Sequence, residues 1–391
     1  MKLFIRSLLY NIIICSTIFS QFTLQHELLF KGNEKPLVGF LNKNGSLFVV
    51  ITKDSSAGKI AITFYDENTK TEVFRNVVDE KQFKYLASSN DGRYFVYVLN
   101  TTVVIIDTHN FSSVKTIKPN INVDQEIGVI SFSQDGSKLI ITLDNERIEI
   151  WDVHKLAISK TFATPDLLVL KSLLTKDLKL ITVFSNGLVR LYNAQSGVII
   201  HEFGMGRVKF NTPLIISPDG SRIVFAPPNV SKPIIVNSLT GHKSYDRAPS
   251  SRNIIESLVF NKDFSKIFSL DKNNIIKIWD AITGIHNKTI AVQQPILRVF
   301  LEHGDQGLLL TTPVEGELQL LQFPLMTVLQ KKKVHQTAIK AVDIAQGQNK
   351  FIVLTMDKDS VKIWHYKAEF SKVMLQQAIK KQYTDIIIEQ E

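Results

Sequence analysis

Nine histidines are the side chains best suited to proton transfer or metal binding: His26, His109, His154, His201, His242, His286, His303, His335 and His365. None of them forms a metal-ligand motif with a neighbour, so a metal site would need the fold to gather them. The sequence has no G-x-S-x-G elbow, no glycine-rich phosphate loop and no HExxH or CxxC spacing. Cys15 is the single cysteine and falls in the first hydrophobic stretch. The rest of the chain therefore holds no disulfide, cysteine metal site or cysteine nucleophile. The expectation is a protein that is not an enzyme, with no residue assigned to catalysis, to a cofactor or to a metal.

Basic residues are the second chemical feature. The formal net charge is +9 and the pI about 9.3. Much of the excess lies in residues 203–252, where Arg207, Lys209, Arg222, Lys232, Lys243, Arg247 and Arg252 stand against Asp219 and Asp246. This stretch also holds Pro227-Pro228 and a long polar segment at 245–253. Such a cluster suits an acidic protein partner or an anionic surface; ordinary solvated charge is the plainer alternative. Lys331-Lys332-Lys333 forms a smaller cluster. No aromatic pattern marks a nucleic-acid platform, so specific base recognition is not expected.

The elements that must carry these residues repeat. The only three tryptophans end similar segments, RIEIWD at Trp151-Asp152, IIKIWD at Trp279-Asp280 and SVKIWH at Trp364-His365. Each alternates in polarity, as a strand with one buried face would. Degenerate copies (ITFYD, VVIID, VRLYN, PIIVN, LQLLQ) complete a series at Asp66, Asp107, Asp152, Asn193, Asn237, Asp280, Gln322 and His365, with steps of 41 to 45 residues. Upstream of these sites lie turns followed by apolar strands, at Gly45, Gly92, Gly136, Asp177, Gly220, Asp263, Asp305 and Gln348. Asp-Gly and Asn-Gly supply the positive φ of a tight hairpin. Each unit reads as four short antiparallel strands, one propeller blade. With 44% hydrophobic residues the chain can fill such a core. The fold class is all-β: one closed propeller of four-stranded antiparallel blades, eight by direct count and seven as the alternative.

Over roughly residues 36–375 the units resemble WD repeats, whose third strand closes with Trp-Asp. The Gly-His pair usual before the first strand of that family is missing from most units, and Gly241-His242 falls after a third strand. The His–Ser/Thr–Asp–Trp network of the family keeps its hydroxyl and carboxylate at Thr52/Asp54, Thr142/Asp144, Ser269/Asp271 and Thr355/Asp357, while Asn100 and Asn186 take that turn in two other units. These residues are expected to serve as turn formers. The resemblance implies that an N-terminal strand, Leu24 to Phe30, completes the last blade. It also implies a scaffold that binds other proteins, acidic ones among the candidates; the alternative is a propeller enzyme or a carrier of a metal or small ligand over the central channel.

Residues 1–20 begin with Lys2 and Arg6, continue with an apolar run from Leu8 to Phe19 and end at Ser20. They read as a signal peptide, with a hydrophobic anchor, a mitochondrial presequence or a strand as alternatives. The domain reading is a leader at 1–20, a propeller at 21–375 and a tail at 376–391. Five sequons, at Asn44, Asn100, Asn110, Asn229 and Asn287, fit a secretory or extracellular location. Membrane contact is expected only if the leader is an uncleaved anchor.

Overall fold

The computed structural model describes residues 23–30, 32–42, 45–89, 91–111, 114–121, 126–143, 146–206, 208, 212–227, 231–244, 254–301, 307–312, 314–346 and 350–367. The leader at 1–20 and the tail at 376–391 lie outside them, as do Asp144, Arg207, Lys209, Arg247 and Arg252.

Eight four-stranded antiparallel sheets form the blades of a propeller. Blades 1 to 7 span residues 34–79, 83–117, 127–163, 169–204, 214–244, 255–291 and 296–333. Blade 8 takes three strands from residues 341–367 and its outermost strand from the other end of the chain. That strand, Thr23–Leu29, pairs antiparallel with Ser360–Lys367, Leu24 facing Trp364 and Leu29 facing Ser360. The count is eight, not seven, and the ring closes through the N-terminal strand as the WD-repeat resemblance implies. Pairing between segments more than 300 residues apart ties the two ends together and removes two exposed sheet edges.

Burial departs from the one-sided alternation expected of the third strands. Arg147–Asp152 is buried at four consecutive positions, and the second strand of blade 1, Leu47–Asp54, at six. Each sheet is covered on both faces by its neighbours, so the inner strands bury side chains on both faces. Alternate residues then face alternate neighbours. Phe48 and Val50 pack toward blade 8, whereas Val49 and Ile51 pack toward blade 2. The buried apolar residues fall into eight clusters, each bridging two consecutive blades and one sealing blade 8 to blade 1. Fourth strands such as Ile199–Gly204 lie on the rim and are largely exposed.

The turn between first and second strands uses the left-handed glycines that the sequence marks. Gly45, Gly92, Gly136 and Gly220 all have φ between 71° and 75°, a region open to glycine at little cost. At Gly220 a side chain would also meet Thr175 and Ile181 of blade 4 within 2.7 Å, so the tight turn doubles as a blade-to-blade contact. In blades 4 and 6, Leu178 and Phe264 occupy the same position at φ 58° and 59°. A polar residue before the turn completes the device: the backbone N–H groups of Tyr94, Lys138, Lys179 and Arg222 donate to the hydroxyls of Ser89, Ser133, Thr175 and Ser217 at 2.9 to 3.0 Å.

Candidate interaction face

Antiparallel order sends the turns after first and third strands to one rim, and those after second and fourth strands to the other. The Trp-Asp positions lie at the first rim. Asp152 accepts backbone N–H bonds from His154 and Lys155, both at 2.9 Å, and Asp280 from Ile282 and Thr283 at 3.0 and 2.9 Å. These aspartates thus close the turn between third and fourth strands. Each also meets a lysine across the hairpin, Asp152 with Lys138 at 2.6 Å and Asp280 with Lys266 at 3.4 Å. The Lys138 bond, helped by the turn N–H groups, holds the Asp152 carboxyl at about 2. The folded-state value therefore lies below the unfolded one. The pair stabilises fully above about pH 4 and loses its contribution as pH falls toward about 2. Asp152→Asn should cost about 1 kcal/mol near neutrality, because solvent screens a pair at the rim. Urea melts of the two proteins should converge as pH drops; a constant gap would contradict the assignment.

The tryptophans are buried, and each indole N–H has a different acceptor. Trp279 donates to Ser269 and Trp364 to Thr355, both at 2.9 Å, but Trp151 donates to the Glu149 carboxylate at 2.8 Å. Arg147 holds the other Glu149 oxygen at 2.8 Å. In blade 8 the network implied by the WD resemblance is complete. His335 Nε2 lies 2.9 Å from Thr355 Oγ1, and its Nδ1 lies 3.0 Å from Ser360 Oγ and 3.3 Å from Asp357. Burial holds the His335 imidazole below the usual histidine range despite the nearby Asp357. The missing Gly-His pair hid this residue, because valine precedes it; its place 20 residues before Thr355 was the available signal. Asp271 and Asp357 form turns as expected, accepting backbone N–H groups from Asn273 and Ile275 and from Asp359 and Ser360. Thr52 bonds Glu34 at 2.6 Å and Thr142 accepts from the Val129 backbone at 2.6 Å, so those two hydroxyls serve no indole.

The described histidines are dispersed. His154 stands by Tyr94, His286 against Trp279, and His365 by Glu67, each in a different part of the ring. Among the described residues no three histidine, cysteine, aspartate or glutamate side chains are grouped to hold a metal.

Of the basic cluster, the described members divide between the rims. Arg222 begins the second strand of blade 5 and Lys243 its fourth, both at the first rim. Lys232 lies in the turn between Arg222–Phe225 and Ile234–Asn237, at the second. The Lys331–Lys333 run is absorbed by the outer strand of blade 7, with Lys331 paired to Glu317 at 2.8 Å and Lys332 over the Trp364 ring at 5.0 Å.

A feature that sequence reading missed sits on the first rim. The turns joining third to fourth strands are polar in blades 1 to 3, exposing Asn68, His109, His154 and Lys155. Over blades 4 to 7 the same turns expose Val198, Leu239, Ile282, Ile285 and Leu325, which are 49% to 65% exposed. Apolar side chains at four consecutive turns form an arc, whereas isolated ones are common on any surface. Beside Ile282 opens a recess of about 320 Å³ lined by Arg222, Ile235, Asn237, Thr240, His242, Ser244 and Ile282. The arc is visible in the sequence only once the turns are aligned.

No protein-family model matches the sequence, nor does any curated protein. A chain in the crystal structure of a mitotic checkpoint complex is similar in fold, with a TM-score of 0.51 and 16% identity, covering 74% of this chain and 89% of that one. Such matches extend to 1653 chains of solved structures, and at this identity the likeness marks the propeller architecture alone.

Proposed function

We propose that this chain is a WD-repeat-like scaffold that binds other proteins and has no catalytic activity of its own. The apolar arc over blades 4 to 7 carries the reading, since a rigid ring presents these exposed side chains on four consecutive turns of one rim. The propeller likeness to a chain from a protein complex is consistent with it. Leu239→Asp combined with Ile282→Asp should leave the melting temperature unchanged, because both side chains face water. The same pair should dissociate the native complex, read as a fall in its size on gel filtration. A complex of unchanged size would count against the arc as the binding surface.

The site of action we infer is the secretory pathway or the cell exterior, on the composition of residues 1–20. Asn100, Asn110 and Asn287 are exposed and open to glycosylation. Endoglycosidase treatment of protein from native cells should raise its gel mobility; unaltered mobility would favour the anchored or mitochondrial alternative.

A further inference from the structure

Arg222 departs from a rule that its sister residues obey. In blades 3 and 6 the lysine opening the second strand is neutralised across the hairpin, Lys138 by Asp152 at 2.6 Å and Lys266 by Asp280 at 3.4 Å; in blade 2, where Tyr94 opens the strand, the preceding Arg93 meets Asp107 at 3.1 Å. In blades 4 and 5 asparagine replaces that aspartate. Blade 4 compensates, for Lys179 pairs with Asp177 at 2.7 Å. Blade 5 does not. Arg222 faces Asn237 across the hairpin and, among the described residues, has no carboxylate within ion-pair distance. Asp219 senses its charge, but its oxygens are taken up by the Ser217 and Ser221 hydroxyls at 2.6 to 2.9 Å. Asn237 spends its own oxygen on the N–H groups of Leu239 and Thr240, so toward a ligand it has its amide donors to offer. The recess thus brings together a guanidinium, an amide, an imidazole and two hydroxyls, in the place where sister blades put an aspartate of their own.

We propose that this recess takes a carboxylate side chain from an acidic, aliphatic segment of a partner protein. Guanidinium groups favour carboxylates through paired, charge-assisted hydrogen bonds. Ile282, which lines the recess and is 65% exposed, supplies a contact for aliphatic neighbours of the acidic residue, and Leu239 and Ile285 lie on the same turns as Thr240 and Ile282. The proposal rests on the scaffold reading above, because the recess lies within the apolar arc.

The test uses the full chain and a short labelled peptide of alternating leucine and glutamate, with glutamine and phosphoserine counterparts as competitors. The glutamate peptide should bind, and Arg222→Gln should weaken it by about tenfold or more, the scale of one charge-assisted bond. Asn237→Asp should weaken it equally by supplying the carboxylate from within the chain, and should raise the melting temperature. Arg93→Gln should leave binding unchanged. Wild-type affinity in Arg222→Gln, or no binding at millimolar peptide, would overturn the proposal. So would phosphoserine peptide or inorganic phosphate competing better than glutamate, since the site would then select phosphate. If Arg222→Gln leaves the native complex intact while the arc variants dissociate it, the recess fails and the scaffold reading stands. Arc variants that leave the complex intact remove the scaffold reading itself.

Discussion

Trp151→Ala and Trp279→Ala are each expected to lower stability by about 3–5 kcal/mol, the cost of emptying a buried aromatic site. Trp279 is 2% exposed, packs edge-on against His286 at 5.2 Å and helps seal blade 5 to blade 6. Trp151 is 8% exposed and seals blade 2 to blade 3. Replacement by phenylalanine separates the two, because most of the volume is kept and the indole N–H is lost. At Trp279 the orphaned acceptor is the neutral Ser269 hydroxyl, and the loss should be about 1 kcal/mol. At Trp151 it is the Glu149 carboxylate, 1% exposed, and the loss should rise to about 2–3 kcal/mol. Equilibrium denaturation of the four variants would check the order. Equal effects of the two phenylalanine variants would contradict the assigned acceptors, and near-wild-type alanine variants would contradict the register.

The second large effect lies at the seam. Glu67, on the third-to-fourth-strand turn of blade 1, is 2% exposed and bonds Lys70, while blade 8 supplies His365 at 2.5 Å and Lys350 at 3.3 Å. Burial pushes the Glu67 carboxyl up, but the bonds from Lys70 and His365 outweigh it and hold the group below the usual range. Removing one member of a buried ionic cluster strands the others. Glu67→Ala should therefore cost about 3 kcal/mol, the low end for such losses because Lys70 and Lys350 keep part of their water. The folded-state value is depressed, so the contribution is present above the unfolded carboxyl range and fades as pH falls below it. Denaturation at neutral pH and near pH 3 (about one unit below that range) checks both points. An equal loss at both pH values would show that packing, and not charge, holds the seam.

Blade number was legible because one structural problem is solved eight times at a nearly constant step, and the closing strand followed from the resemblance those repeats carry. Trp151, Trp279 and the turn glycines repeat it plainly enough to align the weaker copies. Two-sided burial was harder to foresee, since Arg147 and Glu149 interrupt the apolar run of their strand. They are tolerated by pairing with each other and with the Trp151 indole. His335 was hidden by the valine before it, and Glu67 meets His365 across 298 residues of chain, beyond any local pattern. The basic cluster read along residues 203–252 mixes two rims, because a hairpin sends neighbours in sequence to opposite ends of a blade. The apolar arc has the opposite character: Val198, Leu239, Ile282 and Leu325 are far apart in sequence and adjacent in the ring.

Site-specific photo-crosslinking around the ring in native cells would show whether the apolar arc is the face that meets a partner. A photoreactive residue is placed in turn at Val198, Leu239, Ile282 and Leu325, at His154 on the polar side of the same rim, and at Asn186 on the opposite rim. One partner protein should be captured from the four arc positions and from neither of the other two. Capture of that partner from Asn186 or His154, with none from the arc, would contradict the arc as the binding face.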